Sequence, residues 1–189
     1  IDALKYVIDS SKFKSTNHTP IDHKEILILV TMHRRENWDK IDNILDAVDD
    51  VICQKQAVKV IWVTHPNPQL SEKVVHRFQN NHKVETKLPL NYQDMIHLMK
   101  RSFCILTDSG GIQEEAPSIN IPVLVARDST ERMEGVDAGC SKLVGTNKRQ
   151  IFNAITELID NRDEYEKMTH ISNPYGDGLS SQRILTTLK

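Results

Sequence analysis

The densest chemistry in this 189-residue chain lies in Thr107-Asp108-Ser109-Gly110-Gly111-Ile112-Gln113-Glu114-Glu115-Ala116, where an apolar run gives way to a helical pattern. Two successive glycines permit close backbone approach. The free N–H groups of a helix start, with the Ser109 hydroxyl beside them, form an anion site whose natural occupant is phosphate. The stretch is neither the GxGxxG dinucleotide fingerprint nor a Walker loop, which needs a lysine after its last glycine. Taken alone, Ser-Gly-Gly reads equally well as a tight strand-to-helix turn with Ser109 as its N-cap. Glu115, one helical turn further on, favours a nucleotide, because its carboxylate can accept ribose hydroxyls while the helix start holds phosphates.

Three other segments end apolar runs in the same way. Thr31-Met32-His33-Arg34-Arg35-Glu36-Asn37-Trp38 follows 26–30, and His33 is the side chain there best suited to titrate near neutrality or to bond a phosphate oxygen. Arg34 and Arg35 can add charge, but pairing with Glu36 and Glu115 to brace the loop is the preferred reading for this cluster. His65, in Thr64-His65-Pro66-Asn67-Pro68, leaves the same edge; capping or packing explains it as well as ligand binding. Arg127 to Arg132 form a charged loop whose guanidiniums can clamp a diphosphate or a sugar, with a self-paired surface loop as the alternative. The eight histidines are scattered, with neither HxH nor HExxH spacing, so no metal site is expected.

Elements of two periods must carry these loops. Strand-length runs at 26–31, 58–64, 103–107, 123–126 and 142–144, with a short strand near Val84, are too continuously apolar for strands with one wet face and fit a parallel sheet covered on both sides. Between them, Ile41, Ile44, Leu45, Val48, Val51 and Ile52 make one helical stripe, and similar helices fit 68–79, 92–101 and 148–160. The alternation predicts a doubly wound α/β fold, Rossmann-like, with ligands beyond the carboxyl ends of the strands. Residues 3–8 have the spacing of a short amphipathic helix, followed by a polar linker to Pro20. A helix-like stretch after Arg162, a break at Asn173 to Gly178 and a final amphipathic helix with Ile184, Leu185 and Leu188 close the chain.

Composition bounds the rest. Lys and Arg number 24 against 26 Asp and Glu, a formal net charge of -2, so no global positive field exists to hold nucleic acid or an anionic membrane. No apolar run approaches the ~20 residues of a membrane span. Cys53, Cys104 and Cys140 are odd in number and widely spaced, which suits reduced thiols and a cytoplasmic setting.

In this order, His33-Arg34-Arg35-Glu36-Asn37, Thr107 through Pro117, Arg127-Asp128-Ser129-Thr130-Glu131-Arg132, Gly135-Val136-Asp137-Ala138-Gly139 and Asn173-Pro174-Tyr175-Gly176-Asp177-Gly178 resemble the signatures of the non-hydrolysing UDP-N-acetylglucosamine 2-epimerases. The resemblance runs the whole length of the chain and implies the C-terminal half of such an enzyme, whose fold is two facing Rossmann-like domains of the glycosyltransferase-B type. Residues 1–20 would be an interdomain helix and linker, 21–170 the UDP-binding domain, and 171–189 a loop and helix packing toward an N-terminal half upstream of Ile1. Family members interconvert UDP-N-acetylglucosamine and UDP-N-acetylmannosamine by eliminating UDP to a 2-acetamidoglucal and adding it back, without a cofactor. They are commonly homodimers.

By that resemblance His33 would be the essential histidine near the diphosphate, Ser109, Gly110 and Gly111 the phosphate cradle, Glu115 the ribose acceptor and Arg132 a further substrate contact. Leu90 and Met95 fall, by counting back from Ser109, where the family contacts uracil. His65 resembles a histidine that in bacterial members helps bind a second UDP-N-acetylglucosamine as activator. The lysine and acidic groups that move the C2 proton would lie upstream of Ile1, so this chain alone is expected to bind UDP weakly and not to epimerise. The alternatives are a hydrolysing epimerase, which releases the free sugar, and a glycosyltransferase-B nucleotide-sugar domain without epimerase chemistry.

Overall fold

The computed structural model describes residues 1–10 and 25–188. Six strands, β1 (Ile26–Thr31), β2 (Val58–Val63), β3 (Val84–Lys87), β4 (Cys104–Thr107), β5 (Val123–Val125) and β6 (Ser141–Leu143), form one sheet in the order β3-β2-β1-β4-β5-β6. Every pairing is parallel. The helices are α1 (Asp2–Asp9), α2 (Ile41–Gln54), α3 (Pro68–Phe78), α4 (Tyr92–Arg101), α5 (Gly110–Glu115), α6 (Met133–Ala138), α7 (Lys148–Asp160), α8 (Arg162–Thr169) and α9 (Ser180–Thr187).

The continuous apolar runs feed two cores at once, because successive side chains of a strand point to opposite faces. Ile28 and Val30 of β1 join one cluster with the stripe of α2, Leu70, Val74 and Phe78 of α3, and Ile151, Ile155 and Leu158 of α7. Leu27 and Leu29 join the other, with Ile105, Leu98 and Met99 of α4 and Ile112 of α5. Burying both faces in this way makes the sheet a stiff plate whose rim carries the loops. Leu4 and Val7 of α1 pack with Ile96 of α4.

The expected sheet, including the short strand at Val84, forms as read, and 26–31, 92–101 and 148–160 match to the residue. Thr64, Phe103, Ala126 and Val144 fall just outside their strands, because each parallel ladder ends where the neighbouring strand stops pairing. Met133–Ala138, for which the sequence reading named no helix, is a short helix closed by Gly139 in a left-handed conformation, φ 89°. The polar linker expected up to Pro20 falls, from residue 11 onward, outside the described residues.

Candidate functional site

In-register pairing fixes the rim. Val63, Thr31, Thr107 and Val125 are partners across β2, β1, β4 and β5. Two residues beyond each stand His65, His33, Ser109 and Arg127, so four sequence-distant motifs surface in one row. The strand order reverses between β1 and β4, the topological switch point at which a doubly wound sheet opens a crevice. His33 and Ser109 flank that crevice.

A buried carboxylate ties its two lips together. Asp108 is fully buried and accepts the His33 N–H at Oδ1 (2.7 Å), the Arg34 N–H at Oδ2 (3.0 Å) and Asn37 Nδ2 at Oδ2 (2.8 Å). Asn37, also buried, donates to the Ala126 carbonyl at 3.0 Å, bringing the β5 loop into the same knot. Sequence reading assigned no role to Asp108 or Asn37. The available signal was an acid placed directly between a strand and a diglycine turn, where charge is costly unless donors converge on it.

His33 is partly buried, and its Nε2 lies 2.5 Å from Thr31 Oγ1. Burial holds its pKa below the ordinary histidine value; Asp108 pulls it upward and His65 pushes it further down. Desolvation of the ring therefore favours its neutral form. Its neighbour His65 lies 5.8 Å away between ring centroids, packs edge-on against Trp38 at 5.5 Å, and accepts the Asn67 N–H at Nδ1 (2.9 Å). His65 thus braces its own turn and the His33 ring.

Ser109 occupies the N-cap position of α5 but makes no side-chain cap bond; its own N–H goes to Thr107 Oγ1 at 3.1 Å. Of the two readings of Ser-Gly-Gly, side-chain capping by Ser109 is therefore not made, and the first-turn N–H groups of α5 take no bond from that hydroxyl. A Cβ on Gly110 would stand 3.4 Å from the Arg132 guanidinium carbon, so that cation lies directly across the turn. Carboxylates hold it there: Glu114 at 2.7 Å and Glu131 at 3.1 Å.

The loop pairings differ from those read in the sequence. Arg34 pairs with Glu131 at 2.5 Å, Glu36 takes buried Arg127 at 3.1 Å, and Glu115 is bonded by the Tyr92 hydroxyl at 2.8 Å. Arg34 and Glu36 reach across to the loop after β5, whose own Arg127, Glu131 and Arg132 also pair with one another. Glu131 is the hub, meeting Arg34, Arg127 and Arg132, and its carboxyl is held down to about 2 by its own backbone N–H and by Arg127 and Arg34. The Asn173 to Gly178 break braces the assembly from behind. Asn173 Nδ2 donates to the Glu114 carbonyl (2.8 Å), and Tyr175 Oη donates to the Arg132 carbonyl (2.9 Å) while accepting the Gly135 N–H (2.8 Å). A Cβ on Gly135 would lie 2.7 Å from that Oη, which is why glycine stands there.

Glu115 ends the helix that Ser109 begins, and burial raises its pKa against the opposing Tyr92 bond. Leu90 and Met95 are partly buried and pack on the core cluster of Leu27, Leu29 and Ile105. The described residues contain no group of three or more His, Cys, Asp or Glu placed to hold a metal, and no helix long and apolar enough to cross a membrane.

A six-stranded, doubly wound, all-parallel sheet is a Rossmann-like domain, with the fold of the C-terminal domain of a glycosyltransferase-B type protein. The family model for UDP-N-acetylglucosamine 2-epimerase matches residues 1–189, and the chain belongs to that family. It is 42% identical over 197 residues to the UDP-N-acetylglucosamine 2-epimerase of Escherichia coli K12, covering 100% of this chain and 52% of that one. The structure of S. aureus MnaA with UDP superposes with TM-score 0.92 at 43% identity, covering 100% of this chain and 52% of that one. The Neisseria meningitidis UDP-GlcNAc 2-epimerase bound to UDP-GlcNAc superposes with TM-score 0.92 at 39% identity, covering 99% and 52%. The chain spans about half the length of the curated relatives it matches.

Proposed function

We propose that this chain is the UDP-holding half of a non-hydrolysing UDP-N-acetylglucosamine 2-epimerase. The observation that carries this reading is His33 and Ser109 flanking the switch point, with Arg127 next in the row, Arg132 lying across Gly110 and Asp108 locking the lips. The diphosphate would sit on the Ser109 hydroxyl and the Gly110 and Gly111 N–H groups, between His33 and Arg132, with ribose toward Glu115 and uracil toward Leu90 and Met95. As the bond from the sugar to UDP breaks, negative charge grows on the diphosphate. Fixed donors aimed at that charge stabilise it without reorganisation. His33 gains proton affinity as the charge develops, and its ring N–H can donate a hydrogen bond to the leaving oxygen with no net proton transfer.

The C2 proton has no acceptor in this reading of the chain, so both epimerisation steps would require the portion of the relatives that it does not span. His65 would serve a second UDP-N-acetylglucosamine only in that context. Calorimetric titration with UDP tests the assignment. The parent should bind, Ser109→Trp should abolish binding by filling the cradle, and Glu115→Ala should weaken it about 10-fold. If both variants bind like the parent, the site is wrong. With the complete enzyme, UDP-linked N-acetylmannosamine as product supports the non-hydrolysing reaction, and free sugar overturns it.

A further inference from the structure

Glu115 does not stand free. Tyr92 reaches across from α4 to donate its hydroxyl to Glu115 Oε1 at 2.8 Å, over a sequence separation of 23 residues. Its backbone is set by the turn before it. Asn91 caps α4, accepting the Asp94 N–H at Oδ1 (2.9 Å) and donating from Nδ2 to Asp94 Oδ2 (2.8 Å), which places Tyr92 as the first helical residue. The ring is 41% exposed, so it is not there to fill the core. Leu90 and Met95 flank it in sequence and pack on the core cluster that holds Leu98 and Met99 of the same helix. Tyr92 therefore joins the segment assigned to the base with the carboxylate assigned to the ribose.

We propose that Tyr92 is a positioning residue for ribose recognition: its hydroxyl fixes Glu115 Oε1, aims the carboxylate at the ribose hydroxyls, and so makes the site select ribonucleotides over 2′-deoxyribonucleotides. The inference rests on the UDP reading of the site. A partly buried carboxylate with no donor tends to hold a proton, and a protonated Glu115 loses half its acceptor capacity. The phenol supplies one strong charge-assisted bond from a rigid stem with few rotamers to lose, and leaves Oε2 for the ligand. Binding and base contact are then coupled, because any movement of the Leu90 to Met95 segment moves the Tyr92 hydroxyl with it.

The test is titration of the parent, Tyr92→Phe, Glu115→Gln and the double variant with UDP and with 2′-deoxy-UDP. The parent should prefer UDP. Tyr92→Phe keeps the ring and should lose about 5-fold or more in UDP affinity while losing little for 2′-deoxy-UDP. The double variant should bind UDP no more weakly than Glu115→Gln alone, because the phenol acts only through that carboxylate. The acid limb of UDP binding should also move to higher pH in Tyr92→Phe, since removing the donor raises the Glu115 pKa. Equal losses for both nucleotides, additive losses in the double variant, or an unmoved acid limb would each overturn the positioning role and leave the UDP site intact. Failure of the parent to bind UDP would instead remove the UDP reading, and this inference with it.

Discussion

Two apolar helices of this chain look alike in sequence and end differently. Helix α2 carries Ile41, Ile44, Leu45, Val48, Val51 and Ile52 on one stripe, and each is buried against the sheet. Helix α9 presents Ile184 and Leu185, with Leu188 just beyond, yet it buries no residue, and those three are 59%, 59% and 79% exposed. It is held at its N-terminus from α1, where Asp2 accepts the Ser181 N–H at 2.6 Å and the Ser180 N–H at 3.3 Å. The contrast separates what the sheet organises from what is tethered to it. The rim loops belong to the first class, because Asp108 and Asn37 bind them to the plate from within. Exchanging the two behaviours, or failing to, is the way to test the division.

The largest effect should come at the knot. Asp108→Ala strips three donors of their acceptor in a buried setting, a change that costs about 3–5 kcal/mol. Denaturant unfolding should show the loss, and UDP binding should vanish in whatever folded fraction remains. A stability change under about 1 kcal/mol would mean that water readily replaces the carboxylate and that the rim is not internally anchored. Next comes Ile44→Ala in α2, a fully buried side chain whose truncation costs about 2–5 kcal/mol through lost transfer energy and the cavity left behind. This variant should weaken UDP binding little once folded, since Ile44 supports the plate and touches no rim group.

The acid side of the stability curve separates the rim from the rest of the chain in another way. The pKa of His33 is lowered in the folded state from an ordinary value of 6.5. Between the two values the unfolded chain binds the extra proton, so stability rises with pH across that window and is lost as pH falls through it. Thermal melts from about pH 7.5 to about pH 5.5 should therefore fall more steeply for the parent than for His33→Gln. Bound UDP should flatten the parent's loss, because a phosphate beside the ring pulls its pKa back up. Identical slopes in parent and variant would show that the ring is not desolvated as the structure has it.

Most of the plate was legible because a parallel sheet covered on both faces demands continuous apolar runs, and β1 matched to the residue. The positions of His33 and Ser109 follow from the same logic, since loops at the carboxyl ends of in-register strands must surface in a row, and Glu115 follows from its place one helical turn past that row. Pairing was not legible. Glu36 and Arg34 stand two apart in sequence yet find Arg127 and Glu131 on the facing loop, because long side chains reach across the rim and local sequence does not say which loop faces which. Asp108 passed as one more polar residue in a motif, since nothing local announces that three donors from residues 33, 34 and 37 will converge on it. Tyr92, from a helix start 23 residues before Glu115, was equally invisible without the fold that brings α4 beside α5.

The smallest effect should be at α9, and its smallness is the informative part. Leu185→Ser in the chain as it stands removes an exposed methyl cluster from a helix that buries nothing, so the change in stability should lie within about 0.5 kcal/mol. Asp2→Ala should act locally instead. The Asp2 carboxyl is held below its ordinary value, chiefly by the bonds from Ser181, so the tether is intact above that value and is lost as pH falls through the lowered one. Amide exchange read residue by residue should show α9 opening faster in Asp2→Ala at neutral pH, and opening in the parent only on strong acidification, with α2 unchanged in both. If Leu185→Ser instead lowers global stability by as much as Ile44→Ala, the apolar face of α9 is buried in solution and the division between plate and tether is wrong.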